Sequence, residues 1–297
     1  MNARGQVGTI GALWRFPVKS MLGEQVDAAD VTAAGIVGDR VLALLDVETG
    51  KVVSAKHPKV WPDLLRCRAA FTEPPREGEE LPPVRIDLAD GSTVMSDAPD
   101  VDAALSDFCG RAVELAHMSP ADFTIDQYHP DLEHLDPQGH RDELVEAKLG
   151  AALFEELGVP SAVPEGAFFD VFPVSVITTS ALERLGELEP ETTFDVRRFR
   201  MNVIIETPGP GFVENDWIGH SVGIGDDLQL GVAMPDPRCV MTTVAQEGLD
   251  RDPRVLKALA RHNRLDVAGG GRYPCAGVYA VVAAPGAIRT GDGVTVA

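Results

Sequence analysis

Two segments of the chain carry residue types that could do chemistry. Cys239 follows Arg238 in the run Met234-Pro-Asp-Pro-Arg-Cys-Val-Met-Thr-Thr-Val244. A neighbouring guanidinium favours the thiolate, which is the form of cysteine that attacks a substrate or binds a metal. Earlier, Phe194-Asp-Val-Arg-Arg-Phe-Arg-Met-Asn-Val-Ile-Ile205 places arginines and an asparagine before an apolar run. A soft thiolate and a cationic strand edge together indicate a negatively charged, metal-bearing cofactor.

The other cysteines form no recognisable ligand set. Cys67, Cys109 and Cys275 show no C-x-x-C pair and no zinc-like spacing, so we interpret them as packing residues with free thiols. No cysteine cluster suits an iron–sulfur centre. If the chain catalyses a redox reaction, its electrons must therefore come from a separate protein or reductant.

Residues 119–143 are polar with few apolar anchors, which predicts a linker or lid. His129, His134 and His140 all lie in this segment. They could share a metal ion, but their spacing matches no standard helical or hairpin ligand pattern. The role of these histidines stays open at this point.

The charge of the chain is strongly negative and unevenly distributed. The formal net charge is −20, and residues 71–170 hold 23 acidic residues against 5 basic ones. This argues against nucleic acid as a partner. Most of the acidic region is expected to be solvated surface, and the alternative is a docking face for a basic redox partner. No apolar run is long enough to cross a membrane, and with no signal-like first segment we expect a cytoplasmic protein.

Short β-like runs separated by turn residues predict a mainly β protein with peripheral helices, an α+β arrangement of two β-barrel-like modules. We place the first module at 6–118, the linker at 119–143 and the second module at 144–297. No long βαβ alternation is present, which argues against a parallel Rossmann sheet.

Three local predictions concern elements near the candidate residues. A helix is predicted over 144–157, and another over 253–263. Strand alternation over 194–205 would put Arg198 and Arg200 on one face and Arg197 on the other, where it would pair with an acidic residue.

The order of four segments resembles the MOSC family together with its associated N-terminal β-barrel domain. The first two are Leu13-Trp-Arg-Phe-Pro-Val-Lys-Ser-Met21 and Gly35-Ile-Val-Gly-Asp-Arg40, and the arginine-rich and Cys239 segments follow. The resemblance covers roughly residues 6–297, and the order and spacing of the segments resemble those of the amidoxime-reducing members and bacterial reductases of N-hydroxylated compounds. It implies that the second module is a MOSC β-barrel.

The resemblance also implies a cofactor and its site. The cofactor would be the molybdenum cofactor, Mo-molybdopterin, with Cys239 as the metal ligand and Asp170 as a catalytic residue that handles a proton. Phe172 stands where reductase relatives carry a small polar residue, which puts the substrate range in question. The implied cofactor-binding residues are Lys19, Ser20, Arg40, His117, Arg198, Arg200, Asn202 and Arg238.

The function implied by the resemblance is molybdenum-dependent reduction of the N–O bond of a small N-oxygenated substrate, independent of pyridoxal phosphate. A separate ferredoxin-, flavin- or cytochrome-type protein would donate the electrons. The alternative is a non-catalytic carrier that uses Cys239 as a cofactor ligand or as a persulfide site. A cysteine hydrolase is disfavoured, because no Cys/His signature is visible.

Overall fold

The computed structural model describes residues 5–297, which contain nineteen β-strands and four α-helices. Four short 3-10 helices lie at Leu64–Arg66, Val196–Phe199, Val213–Trp217 and Val240–Thr243. The strands are β1 (Gln6–Arg15), β2 (Glu24–Val26), β3 (Ala28–Thr32), β4 (Gly35–Ile36), β5 (Ala43–Asp46), β6 (Arg68–Phe71), β7 (Val84–Asp87), β8 (Thr93–Met95), β9 (Val113–Ala116), β10 (Thr124–His129), β11 (Glu143–Lys148), β12 (Val174–Thr178), β13 (Val203–Glu206), β14 (Ser221–Ile224), β15 (Leu228–Pro237), β16 (Arg264–Asp266), β17 (Arg272–Ala284), β18 (Gly286–Arg289) and β19 (Gly293–Val296). The helices are α1 (Val101–Cys109), α2 (Gly150–Leu157), α3 (Thr179–Leu188) and α4 (Arg254–His262).

A closed barrel of seven strands dominates the fold, in the order β12-β13-β1-β19-β14-β15-β17, and the β12–β17 pairing closes it. The β12–β13 pair is parallel, whereas the other pairs around the barrel are antiparallel. Alternating apolar residues fill its interior, including Ile10, Ile205, Leu230 and Val278. The mainly β prediction with peripheral helices is confirmed.

Smaller sheets form the N-terminal module around a second apolar core. β6, β7 and β8 form one sheet, β5 pairs with β9, and Leu65, Ile86 and Leu105 are among the side chains buried between them. The two modules exchange strands, because β1 belongs to the seven-stranded barrel and β18 pairs with β3. The module boundaries given above stay a prediction. Strands from both sides of these boundaries join the same sheets.

The predicted helix over 144–157 is wrong in its first half. β11 occupies Glu143–Lys148 and pairs with β10, and α2 begins only at Gly150. The Lys51 ammonium lies 2.7 Å from Asp126 of β10 and 2.6 Å from Glu146 of β11. A cation from a distant part of the chain thus stabilises two acidic residues that face each other across the hairpin. No local sequence pattern predicts this contact. The hairpin also replaces part of the predicted linker.

The predicted strand before Val203 is wrong as well. Val196–Phe199 is a 3-10 helix, and Arg200 has the left-handed φ of 53°. The Asp195 carboxylate accepts a hydrogen bond from the Arg197 backbone N–H at 3.0 Å, which starts the helical turn. The same carboxylate pairs with the Arg197 guanidinium at 2.7 Å, so the predicted acidic partner of Arg197 is confirmed.

The helix predicted over 253–263 is confirmed, and another helix, α3, precedes it in the C-terminal half. α3 begins after Thr178, whose hydroxyl caps it by accepting a hydrogen bond from the Ala181 N–H. α4 lies inside the predicted 253–263 range and packs Val255 and Leu259 into a third apolar cluster. Among the described residues, no helix combines the length and apolar character needed to span a membrane.

Candidate functional site

A polar pocket lies where the N-terminal module meets the seven-stranded barrel. Its lining carries six cationic side chains against two carboxylates, those of Asp170 and Asp236. In a chain with a net charge of −20, this excess of positive charge is concentrated at one place. The sequence-predicted residues that line the pocket are Lys19, Ser20, Arg40, Asp170, Arg198, Arg200, Asn202, Arg238 and Cys239.

Asp170 lies between two lysines. The Lys19 ammonium pairs with one carboxylate oxygen and donates to the Phe168 carbonyl at 3.0 Å. The Lys56 ammonium lies 2.7 Å from the other oxygen. Lys19 and Lys56 come from the N-terminal module, and Asp170 comes from the loop before β12. This triad therefore ties the two modules together at the pocket.

Burial and the charges within the triad together shift the pKa values of its three members. Burial would raise the pKa of Asp170, but the two ammonium groups overcome it and hold that pKa well below its usual range. Burial lowers the pKa of Lys19 to about 8, against the opposing effect of Asp170. Burial acts against the charged form of Lys56 too, yet Asp170 and Cys239 raise its pKa. Asp170 thus stays ionised, which does not support the proton-handling role predicted for it.

Asp39 joins three chain segments beneath the pocket. Its buried carboxylate accepts hydrogen bonds from the Phe16 N–H at 2.6 Å and the Asn202 side-chain amide at 3.0 Å, and it pairs with Arg40. The guanidinium groups of Arg40 and Arg200 lie 4.9 Å and 4.5 Å from the Phe16 ring. Two arginines are therefore held over one aromatic ring, a stacking that suits the planar guanidinium.

Arg238 pairs with Asp236 and also donates to the Phe199 carbonyl. Its buried Nε–H finds no hydrogen-bond acceptor among residues 5–297. Burial raises the pKa of Asp236 to about 6, although Arg238 acts in the opposite direction. The pocket therefore holds one carboxyl group that can change protonation near neutral pH.

Cys239 lies two residues after the end of β15, in extended backbone, and directly precedes the 3-10 helix at Val240–Thr243. Its side chain is half-buried and lines the pocket. Arg198 fixes the segment that follows it, because its guanidinium donates to the carbonyls of Thr242, Val244 and Asp250. The Nε–H of Arg198 is buried without an acceptor in the described chain.

The three other thiols are far less suited to react. Burial raises the pKa of Cys67 and of Cys275 to about 12, and that of Cys109 to about 11. None of the three lines the polar pocket. Their interpretation as packing residues agrees with this placement.

Some predicted contacts are already committed to protein partners. The Asn202 side chain is 1% exposed; its amide donates to Trp14 and Asp39, and its oxygen accepts from Ser175. The Ser20 hydroxyl accepts from the Ala55 N–H at 3.1 Å. Both residues therefore shape the pocket wall. The Asn202 amide has little capacity left for a ligand, whereas the Ser20 hydroxyl keeps its O–H donor.

His117 is not brought to the pocket. It is exposed after β9 and lines a separate surface groove with the loop around Arg76. It follows β9, which pairs with β5 in the N-terminal module. The structure therefore does not support a cofactor contact for His117.

Sequence reasoning missed Lys56, Asp236 and Tyr279, all of which line the pocket. Asp236 had a usable signal, since it lies between two prolines just before the Arg238-Cys239 pair. Lys56 had no such signal, because its role depends on Asp170, which is distant in sequence. Phe172 lies 5.7 Å from Tyr279, ring to ring, so the pocket has an aromatic wall.

The chain matches two described protein domains. Residues 7–109 match the MOSC N-terminal beta barrel domain and residues 165–295 match the MOSC domain. The fold and the pocket thus belong to a MOSC-domain protein, and the chain is a member of the MOSC family that carries the N-terminal barrel domain.

The chain is also similar to individual proteins with names of their own. The chain is 26% identical to mitochondrial amidoxime-reducing component 1 of Mus musculus, over 97% of this chain and 82% of that protein. It is 24% identical to the Homo sapiens protein of the same name, with the same coverage. Among solved structures, the YUAD protein from Bacillus subtilis matches over 97% of this chain and 94% of that one, at 13% identity and a TM-score of 0.43.

Proposed function

We propose that the chain is a molybdenum-cofactor-dependent oxidoreductase that reduces N-hydroxylated compounds, with Cys239 as the ligand of the metal. The observation that carries the proposal is the half-buried Cys239 in a pocket lined by six cationic side chains. The MOSC family membership and the relatives named amidoxime-reducing components support the same reading.

The donor set fits such a cofactor. A thiolate is a soft ligand that suits molybdenum better than a hard oxygen-preferring cation. Arginine forks match the oxygens of a phosphate group. The buried, unpartnered Nε–H groups of Arg198 and Arg238 are donors that no described protein group satisfies. Such orphaned donors are costly in a folded protein unless a ligand accepts from them.

Different residues of the pocket would have different roles. Lys19, Lys56 and Arg40 would bind and orient the anionic part of the cofactor, and Arg200 would add positive charge beneath it. Bound there, the molybdenum centre supplies the two-electron chemistry that cleaves the N–O bond. Asp170 would position the two lysine ammonium groups by remaining ionised between them.

Protons for the released water need a donor that titrates near neutral pH. Asp236, with a pKa of about 6, and Lys19, with a pKa of about 8, are the pocket groups with that property. We therefore transfer the predicted proton-handling role from Asp170 to these two side chains. Asp236 is the better candidate, because Lys19 is committed to Asp170 and the Phe168 carbonyl.

The substrate would be a small N-hydroxylated molecule with a flat or apolar body. Phe172 and Tyr279 form an aromatic wall at 5.7 Å from each other, and Phe154 meets Phe172 edge-on at 6.0 Å. Electrons would come from a separate ferredoxin-, flavin- or cytochrome-type donor. A cytoplasmic location remains a prediction.

The test is the Cys239→Ala variant of the full chain, produced in cells that make the molybdenum cofactor. We expect the unaltered protein to retain about one molybdenum per chain and to oxidise a reduced donor in the presence of an N-hydroxylated substrate. Cys239→Ala should lose the reductase activity, because alanine offers no ligand atom to the metal. Cys109→Ala is the matched control, since Cys109 is also half-buried but lies outside the pocket.

Three results would contradict the proposal in different ways. Full reductase activity in Cys239→Ala would remove the ligand assignment. Molybdenum bound without turnover on any N-hydroxylated substrate would make the chain a cofactor carrier. A persulfide on Cys239 without molybdenum would make it a sulfur carrier.

A further inference from the structure

A second group of metal-ligating side chains lies outside the pocket. His129 is the last residue of β10, and Asp136 and His140 lie in the connection to β11. One ligand atom from each of the three residues falls within 4.8 Å of the others. The spacing of the three predicted histidines gave no such indication, because the third ligand is Asp136 and because His134 points away, 58% exposed beside Glu133.

Asp136 is the centre of this cluster, which we call the lid cluster. Its side chain is only 4% exposed, and one carboxylate oxygen faces both imidazoles. The Nδ1 atom of His140 is in hydrogen-bond contact with that oxygen, and the Nδ1 atom of His129 lies 3.8 Å from it. The other oxygen accepts a hydrogen bond from the Gln138 N–H at 3.0 Å. The imidazole rings lie 5.4 Å apart, centroid to centroid.

One ring nitrogen of His129 has no hydrogen-bond partner among the described residues. This atom is Nδ1, which is buried. The Nε2 atom of His129 lies 3.2 Å from the side-chain amide nitrogen of Gln127, a donor. When the Gln127 amide turns over, its oxygen accepts from Nε2–H, and the lone pair of Nδ1 then points toward Asp136. Metal-bound histidines typically donate their second ring N–H to such a partner, which fixes the ring.

We propose that His129, Asp136 and His140 bind a divalent transition-metal ion, Zn²⁺ being the representative of the class. Two imidazole nitrogens and one carboxylate oxygen are a ligand set that favours Zn²⁺ over Ca²⁺ or Mg²⁺, which prefer oxygen ligands. Three protein ligands leave one tetrahedral position for water. Gln127 acts as a positioning residue for His129.

The geometry needs only a small adjustment to hold the ion. Ligand atoms around a tetrahedral Zn²⁺ lie about 3.3 Å apart, given bonds of about 2.0 Å. The 3.8 Å between His129 and Asp136 must shorten slightly, and the close His140–Asp136 contact must open. His140 lies in an exposed part of the connection, 26% exposed, where such a shift meets little packing resistance.

The ion would tie the connection 130–142 to the end of β10. Pro137 of this connection packs against Gly271, and Leu132 shares a cleft with Val244 of the segment that follows Cys239. The backbone of Tyr128, next to His129, donates to the Lys56 carbonyl at 2.8 Å. Metal binding at the lid cluster would therefore hold in place the segment that follows Cys239 and the segment that contains Lys56. Both Cys239 and Lys56 line the cationic pocket.

The experiment compares the zinc binding of full-length variants. The protein is dialysed against a chelator, and Zn²⁺ is then titrated calorimetrically into the unaltered chain and into His129→Ala, Asp136→Asn and His140→Ala. His134→Ala is the matched control, because it removes a histidine of the same connection from outside the cluster. Circular dichroism without zinc verifies that each variant is folded. All proteins retain Cys239, so any zinc at that thiolate is common to the series.

We expect one strong zinc site per chain that is lost in the three cluster variants and retained in His134→Ala. Gln127→Ala should weaken it by about ten- to hundred-fold, as loss of an outer hydrogen bond to a metal ligand does. Zinc should raise the melting temperature of the unaltered protein and of His134→Ala, but not that of His140→Ala. Zinc binding that survives in folded His129→Ala and His140→Ala, or that is absent from the unaltered chain, overturns the proposal. The result is independent of molybdenum content and of reductase activity.

Discussion

The Lys19–Asp170–Lys56 triad offers the sharpest test of how the pocket is held together. In Lys19→Met, the ammonium disappears while most of the side-chain volume stays. Asp170 then keeps Lys56, 2.7 Å away, as its remaining partner, and the Phe168 carbonyl loses its donor at 3.0 Å. Breaking a buried ion pair by removing one partner costs about 3–5 kcal/mol. Since the Asp170 side chain is 25% exposed and keeps one lysine, we expect a loss near the lower limit, about 3 kcal/mol.

A loss of this size is measurable by thermal unfolding. For a chain of this length, about 2 °C of melting temperature corresponds to each kcal/mol, so the expected decrease is about 6 °C. The matched control is Lys59→Met, because Lys59 is 60% exposed and lies 3.4 Å from an exposed Asp142. Such a surface pair contributes about 0–1 kcal/mol, so the control should lose about 2 °C or less.

A double variant separates the ion pair from ordinary packing effects. If Lys19 and Asp170 are coupled, Lys19→Met/Asp170→Asn should be more stable than the sum of the two single losses implies, by about 0.5–3 kcal/mol. Additive losses in the double variant would refute the reasoning. Lys19 would then matter for its volume alone.

Three further predictions concern pH, substrate and donor. Because Lys19 and Lys56 overcome burial and hold the pKa of Asp170 below its usual value, the stability it contributes is present above about pH 4 and is lost as the pH falls further. Asp170→Asn should therefore lose less stability than the unaltered protein between pH 5 and pH 3 in urea unfolding. Phe172→Ser should raise kcat/KM for bulky N-hydroxylated substrates more than for small ones, because it opens the aromatic wall, and equal ratios would contradict this. Turnover limited by a basic protein donor should fall as salt rises, whereas turnover with a small reductant should not, and an equal response would remove the acidic docking idea.

Much of the pocket could be predicted from the sequence, because many of its residues lie in short motifs. The arginine-rich segment and the Arg238-Cys239 pair are each local in sequence, and both reach the same pocket. The cofactor contact of His117 stays a prediction, because placement after a strand does not say which sheet that strand joins. β9 pairs with β5 and turns His117 toward a different groove.

The parts that could not be predicted depend on contacts between distant segments. The β10–β11 hairpin is stabilised by Lys51, which lies far from Asp126 and Glu146 in sequence. The lid cluster likewise needs the turn of the connection to bring His140 back to Asp136. In both cases the local pattern is polar and without period, so nothing but the tertiary structure identifies the partners.

The strand exchange between the modules has a consequence for synthesis of the protein. β1 leaves the ribosome long before β19, yet Gly8 pairs with Val294 and Gln6 with Thr295 in the barrel wall. The β6-β7-β8 sheet finds its partners within a short stretch of nascent chain, whereas β1 must wait for β13 and β19 with an unpaired edge, a state that invites aggregation. Lys19 and Cys239 can meet only after β15 has emerged. Any ligand of their pocket can therefore be inserted only after β15 and Cys239 have emerged.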